Sequence, residues 1–513
     1  MIFFFAIEFL ILIIFYIKYI IKIIFILIKR IKKMGCCLEK PINLIRKDSK
    51  GLSTNRVDTF SKIEDFRKTY EYISTLGAGS FGKVRLFRNK TYKNLKFAIK
   101  TLKKEGISKT MYECLIQEIN ILRSLDHPYI VKYYETYEDD FYINIVMEYL
   151  SGDNLYKYIT LKKHYNFTEK DMSEIIHLLL KALLFCHNHG IVHRDVKPEN
   201  ILFEKNNDYS TMKLIDFGLA TNTHKTDKKT VGSPYYMSPE IIKGQSNSKT
   251  DLWSVGIMLH YMLTGKFPFE PDDKNQIFDV ITKRKFDSKY IKNCKCSNEA
   301  KDLVCKLIIK DVDKRLSAKE ALKHPWFKRF EDEEIEEEIH IDHSMIEMLK
   351  HFSKKNLFQK EILFFMAKIA EGEEVKKYKL MFNKLDINNL GVLTYEELKE
   401  AIIELKLNVT EDELKIIWNG IDFHKDGQVN YTEFLAAMTS SIETNREEKE
   451  WSAFKYFEDN NSPGYITYNS LLQTCQAFKL AINEDEIRKT FQKENQEKIN
   501  FDMFKKLIEE END

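Results

Sequence analysis

Within the run His193-Arg194-Asp195-Val196-Lys197-Pro198-Glu199-Asn200 a carboxylate, an ammonium and a carboxamide follow one another at short spacing. Asp195 would accept the proton of a substrate hydroxyl, Lys197 would bind a transferring phosphoryl group, and Asn200 would hold magnesium. Asp216-Phe217-Gly218 follows an apolar strand, Met212-Lys213-Leu214-Ile215, and adds a carboxylate for magnesium bridging the β- and γ-phosphates of ATP. A nucleotide cradle lies upstream: Leu76-Gly77-Ala78-Gly79-Ser80-Phe81-Gly82-Lys83-Val84 sets glycines where backbone amides must approach phosphates without Cβ interference. Phe97-Ala98-Ile99-Lys100 alternates like a strand and supplies a cation for the α- and β-phosphates. Glu118, in the helical run from Leu115 to Leu122, would orient Lys100 by an ion pair, with Glu113 as the competing partner.

A second chemistry lies far downstream. Calcium is a hard ion that takes about six to eight oxygens, arranged in a loop of about twelve residues with glycine at the turn and a bidentate carboxylate at the end. Asp386 to Glu397 offers Asp386, Asn388, the Val392 carbonyl, Thr394 and Glu397, but Leu390 stands at a usual oxygen-ligand position. Asp422 to Glu433 offers Asp422, Asp426, the Gln428 carbonyl, Asn430 and Glu433, with His424 replacing an oxygen ligand. The two loops begin 36 residues apart, which suits a paired lobe, and the second ranks above the first. Two further stretches keep only the framework. Around Asp459 to Ser470, Pro463 sits at a ligand position and Ser470 replaces the terminal glutamate; around Gln492 to Met503 the turn glycine is missing and Met503 ends the loop.

These groups need a scaffold of strands for the cradle, a helix-rich lobe for Asp195 and Asp216, and helix pairs for the loops. Ser238-Pro239-Glu240, Asp251-Leu252-Trp253-Ser254-Val255-Gly256 and Arg315 complete that series, and residues 72–327 resemble a eukaryotic Ser/Thr protein kinase. The resemblance implies a bilobal α+β kinase fold, with Met147 as gatekeeper behind the adenine and Glu148, Tyr149 and Leu150 as the hinge. In that family a Ser or Thr at the Ser233 position, together with Lys197, points to a Ser/Thr hydroxyl acceptor. Basic-directed relatives use one acid in the His-Arg-Asp run, here Glu199, and another after the hinge, where this chain has Asn154 with Asp153 beside it. Because Arg194 precedes the catalytic Asp, Thr226 and Thr230 are candidates for activation-loop phosphorylation, against the alternative of unmodified loop threonines.

The whole chain resembles the calcium-dependent protein kinases, in which a Ser/Thr kinase domain is fused to an all-α, calmodulin-like EF-hand domain. The expected layout is a hydrophobic segment at 1–33, an acylation motif and linker at 34–71, the kinase at 72–327, an acidic linker and junction at 328–373, and four EF-hand-like units at 374–513. In the junction Phe358, Ile362, Phe365 and Ile369 recur at helical spacing near Lys354, Lys355 and Lys360. Such a stripe is either core or, as the resemblance implies, an autoinhibitory helix that blocks the substrate cleft at rest and leaves it when calcium rearranges the EF-hand domain. The acidic run Glu331 to Glu338 reads as a solvated connector.

Composition narrows the rest. The 80 basic and 78 acidic side chains nearly cancel, which leaves no nucleic-acid footprint. The 8 cysteines lack Cys-x-x-Cys spacing and suit reduced thiols in the cytoplasm. Residues 2–28 hold about twenty Ile, Leu and Phe, interrupted by Glu8, Lys18 and Lys22. Two mid-span lysines cost roughly 5 to 7 kcal/mol against about 6 to 12 from the apolar residues, so a bilayer span is marginal. The rival reading takes Met34-Gly35-Cys36-Cys37 as the true start, with Gly35 myristoylated and Cys36 and Cys37 palmitoylated; Glu39 departs from the Ser or Thr the motif prefers. Membrane association follows from either.

The sequence thus predicts a membrane-associated, calcium-regulated Ser/Thr kinase that uses ATP and magnesium on protein substrates. Two alternatives remain: an active kinase insensitive to calcium with the EF-hand region as a docking module, and a pseudokinase scaffold, against which Lys100, Asp195, Asn200 and Asp216 all argue.

Overall fold

Alternation in Lys96–Lys103 divides one strand between two cores. Phe97 and Ile99 join Tyr70, Phe87, Tyr137 and Val146 on one face, while Leu102 joins the main kinase core on the other. The strand is β4 of a six-stranded sheet comprising β1 (Ser61–Lys62), β2 (Tyr70–Gly79), β3 (Gly82–Asn89), β5 (Tyr133–Glu138) and β6 (Tyr142–Glu148). The order is β1-β5-β6-β4-β3-β2, antiparallel except for β1 with β5. Helix α1 (Lys109–Ser124) starts where the Ser108 hydroxyl accepts the Met111 amide and buries Leu115, Ile119 and Leu122 along one stripe.

The computed structural model describes residues 61–509 except 63–65, 80–81, 91–92, 162–166, 223–230, 272, 274–275, 331–342, 371–372, 440–445, 460–461, 479–481, 483 and 494–496. The hydrophobic segment 1–33, Gly35, Cys36, Cys37, Ser80, Phe81, Thr226, Thr230 and the acidic run lie outside the described residues. Among those described, no helix is long and apolar enough to cross a membrane. All of them fall in one unit, Val57–Asp513.

The second lobe is helical. Its central helix α2 (Glu169–Asn188) opens with a reciprocal Thr168 and Asp171 capping box and is apolar on most sides, as a helix buried in a lobe must be. Short strands β7 (Ile191–Val192), β8 (Ile201–Phe203), β9 (Met212–Leu214) and β10 (Thr221–Asn222) pair as β7 with β10 and β8 with β9. They bracket the segments that carry Asp195 and Asp216. Helix α3 (Lys249–Thr264) is buried beneath them.

Beyond the kinase lobes come α4 (His343–Ser353), α5 (Leu357–Lys368), α6 (Glu373–Leu385), α7 (Tyr395–Glu404), α8 (Glu411–Ile421), α9 (Tyr431–Thr439), α10 (Arg446–Phe457), α11 (Tyr468–Phe478), α12 (Glu484–Lys493) and α13 (Phe501–Glu509). Four helix-loop-helix units pair into two lobes. β11 (Val392–Leu393) bonds to β12 (Val429–Asn430), and β13 (Ile466–Thr467) to β14 (Lys498–Ile499). The helices around the two stretches that lack closing carboxylates pair nonetheless, through the bridge in which Ile466 and Ile499 are fully buried.

Both junction helices belong to the EF-hand core. α5 lies against α9, α10, α12 and α13, and α4 against α8 and α9. Phe358 and Ile362 are buried there, with the Phe358 ring 6.4 Å from Phe457 and 6.5 Å from Phe504. The Gln359 amide donates to the Leu507 carbonyl at 2.8 Å. Lys360 is buried as well, its ammonium 3.2 Å from the Ser353 carbonyl and above the Phe352 ring, and desolvation lowers it to about 8. Of the stripe, Phe358 and Ile362 lie in the core of the EF-hand helices and Phe365 is half-buried against it.

Candidate active site and calcium loops

Lys100 comes from β4 and Glu118 from α1, and they meet at 2.5 Å, with Asp216 Oδ1 3.2 Å from the same ammonium. Glu113 faces solvent, so the choice between the two glutamates falls to Glu118. Burial would depress the Lys100 ammonium, but Glu118 and Asp216 hold it above its ordinary value. Burial likewise pushes Asp216 up, and Lys100 brings it below the usual carboxylate range, which keeps it ionised for a cation.

Asp195 is a hub. Lys197 Nζ lies 2.7 Å from its Oδ2, Asn200 Nδ2 donates to its carbonyl at 2.8 Å and to Oδ2 at 3.1 Å, and Ser233 donates to Oδ1 from both its amide at 3.1 Å and its hydroxyl at 2.9 Å. Lys197 also reaches the Ser233 hydroxyl at 2.9 Å. These four side chains converge from the Asp195 loop and the segment before α3. Asp251 at the start of α3 holds the loop from below: its carboxylate accepts the amides of His193 at 3.0 Å and Arg194 at 2.8 Å, with His187 Nε2 at 2.9 Å. Arg194 sits at φ 65°, a conformation that costs a non-glycine residue and persists because Asp251 fixes it. The sequence displayed Asp251 within a motif but not its bond across 57 residues.

Glu240 and Arg315 form a buried pair at 2.6 and 3.1 Å that anchors the Ser233 to Glu240 segment. In the hinge, Met147 sits opposite Ala98, and the Glu148 side chain turns away from the cleft to accept the Lys132 amide at 2.6 Å and to meet Lys213 at 3.2 Å. Glu148 can therefore face a nucleotide only with its backbone. Gly77 has open space where a Cβ would stand, as a phosphate cradle requires, and Leu76 is exposed beside it. Of the residues considered for basic-substrate selection, Asn154 caps the helix Leu155–Thr160 and Asp153 is held by Lys157 at 2.7 Å, while Glu199 is exposed.

In loop one the Asp386 carboxylate accepts the amides of Leu390 and Gly391, each at 2.8 Å, and burial pushes it up to about 6. Glu397 gathers the Asn388 amide and side chain at 3.1 and 3.0 Å and the Thr394 amide and hydroxyl at 3.0 and 2.8 Å. In loop two the Asp422 carboxylate accepts the Asp426 and Gly427 amides at 3.2 Å, and Asp426 accepts the Gln428 amide at 3.0 Å. His424 Nδ1 lies 2.6 Å from Glu433 Oε1, and its Nε2 lies 3.5 Å from Glu361 of α5. Burial would lower the imidazole, yet Glu361 and Glu433 raise it to about 10, so the loop carries a cation of its own beside its closing carboxylate. In loop three, Ser470 donates to the Phe457 carbonyl at 2.9 Å and offers no carboxylate.

Lys100 ion-paired to Glu118 and Asp216, an Asp195 hub and paired helix-loop-helix units are the arrangement of a protein kinase joined to EF-hands. Residues 70–327 match the protein kinase domain and 375–439 the EF-hand domain pair. Calcium-dependent protein kinase 34 of Arabidopsis thaliana is 33% identical over 456 residues, covering 88% of this chain and 86% of its own length. Calcium-dependent protein kinase 2 of Zea mays is 33% identical over 80% of this chain and 79% of its own, and calcium-dependent protein kinase 11 of Oryza sativa subsp. japonica is 32% identical over 85% and 76%. The chain belongs to the calcium-dependent protein kinases. It is a Ser/Thr protein kinase that uses ATP and magnesium and takes calcium through its EF-hand region. The pseudokinase alternative falls with that.

Proposed function

We propose that the enzyme transfers the ATP γ-phosphate to protein Ser or Thr hydroxyls, and that the junction helix restrains it until calcium draws that helix into the EF-hand domain. The observation that carries this reading is the Asp195 hub. A carboxylate that already accepts a hydrogen bond from one hydroxyl, that of Ser233, and is flanked by Lys197 has the acceptor geometry to orient a second and take its proton. Lys197 steadies the moving phosphoryl group, Asn200 and Asp216 hold magnesium, and Lys100, fixed by Glu118, clamps the α- and β-phosphates beneath the glycine hairpin. Bound magnesium neutralises charge on the phosphates.

Regulation rests on α5. A helix buried among α9, α10, α12 and α13 is unavailable to the substrate cleft, and it re-enters the cleft only if the EF-hand core opens. Calcium acts mainly on the first lobe, where Glu397 and Glu433 supply the closing carboxylates. Myristoylation at Gly35 and palmitoylation at Cys36 and Cys37 give more than the single acyl chain that binds membranes only marginally, and so anchor the chain stably. In a chain starting at Met34, Gly35→Ala moves the protein from the membrane to the supernatant; undiminished pelleting would exclude acylation as the anchor.

Phosphorylation of a generic basic peptide, with calcium or chelator, tests the central reading. Asp195→Asn lowers turnover roughly 10²- to 10⁴-fold with ATP affinity nearly unchanged. A chain ending at Phe330, folded by circular dichroism, works equally with and without calcium. Unimpaired turnover in the first variant removes Asp195 from its role, and a folded truncation as idle as the calcium-free full chain removes the junction from its own.

A further inference from the structure

Loop one turns its apex into the kinase domain. Val392 is buried in the same apolar cluster as the kinase core, and Leu390 lies against it. The Gly391 backbone lies so close that an added Cβ would stand 2.4 Å from His127 Cδ2 and 2.7 Å from Phe185 Cδ2. The seat is the turn after α1 together with the end of α2. Polar contacts surround it: Asn383 of α6 donates to the Tyr129 hydroxyl at 2.6 Å, Lys379 donates to the Ser210 carbonyl at 3.0 Å, and Lys376 pairs with Asp208 at 3.1 Å. At its edge Asp126 caps the start of α9 by accepting the Thr432 amide at 3.0 Å and hydroxyl at 2.8 Å.

We infer that loop one is an intramolecular docking plug, in which Leu390, Gly391 and Val392 bind the His127 and Phe185 seat and the fifth loop position has been given to the kinase domain at the expense of a calcium ligand. Leucine there has no oxygen for the ion, but it has the apolar surface the seat requires. Loop two meets the kinase domain differently, through Thr432, the residue before its closing glutamate. Calcium therefore acts on a lobe already fixed at one end, and the movement it causes arises in loop two. This inference rests on the calcium-regulated reading above only in that last step.

The test uses the full chain with calcium present and reads hydrogen exchange of residues 126–133 by mass spectrometry, with calcium stoichiometry by calorimetry. Leu390→Asp inserts a carboxylate where a ligand is missing and a charge where the seat is apolar. It should speed exchange of 126–133 at least tenfold while calcium binding is kept or strengthened. Ile387→Ser, an exposed neighbour in the same loop, should change neither. In a second measurement Asp126→Cys with Thr432→Cys forms a disulfide under mild oxidation, and adding Leu390→Asp cuts its yield at least fivefold. Exchange and crosslinking in Leu390→Asp equal to those of its parent chain would overturn the plug. Exchange is read independently of activity, so a chain that bound no calcium would sink the regulatory reading and leave the plug standing.

Discussion

Loops one and two share a framework and have parted in what they do with it. Each has an Asp at the first position accepting amides across the turn, a left-handed glycine at the sixth, and a glutamate at the twelfth bonded back to the ninth. Gly391 is pressed against a histidine and a phenylalanine ring of the kinase domain, whereas nothing stands within 4 Å of a Cβ built on Gly427. Loop one has lost its fifth ligand to an apolar contact. Loop two has lost its third to His424, whose imidazolium leans on the carboxylate that would close the shell. The turn that shapes a calcium loop is thus separable from the ligands that fill it, and the missing position decides the consequence. A lost fifth ligand thins the shell and frees a surface, while a cation at the third opposes the ion directly.

The sharpest way to break this comparison is to remove the closing carboxylates one at a time. Glu433→Gln keeps the size and removes the charge, and should raise the calcium needed for half-maximal kinase activity by at least roughly tenfold, against roughly two- to threefold for Glu397→Gln. Ser470→Ala, in a loop with no carboxylate to lose, should leave the titration unchanged. Equal effects of the two glutamine variants would mean that the loops share the ion evenly and that the apex contact of loop one has no bearing on affinity.

Legibility in the sequence followed chain distance. The cradle, the Asp195 to Asn200 run and the calcium frameworks were readable because each is one short stretch whose spacing is itself the geometry. The Lys100 to Glu118 pair was readable only as a choice between Glu113 and Glu118, which the exposure of Glu113 decides. Bonds between distant segments were not. Asp251 bonds 57 residues back to Arg194, Asp126 caps Thr432 from 306 residues away, and Glu361 reaches His424 from a different helix. None has a local signature, because an acid in a helix looks the same whether it meets water or a buried amide. The junction stripe was visible as apolar but mute about its partner: 3.6-residue periodicity says that one face is covered, not by what. Leu390 and His424 read as lost ligands, and only the fold shows what each gained.

The finer prediction concerns that gain in loop two. His424→Asp replaces an imidazolium between two buried glutamates with an oxygen ligand, so three effects share one sign for calcium. A competing positive charge leaves, the third ligand returns, and Glu433 loses the partner that holds it. Without calcium they share the opposite sign for stability, because Asp422, Asp426, Glu361, Glu433 and the new carboxylate then crowd one space with no cation among them. The calcium needed for half-maximal activity should fall roughly tenfold, in line with the dependence of loop affinity on ligand charge. The melting temperature should drop in chelator and recover with calcium. His424→Ala separates the terms, since it removes the cation without adding a ligand, and should lower the calcium requirement by less. If both variants titrate like the parent chain, the imidazolium does not compete with the ion, and the higher standing of loop two would rest on Asp426 alone, the fifth-position oxygen that Leu390 cannot supply.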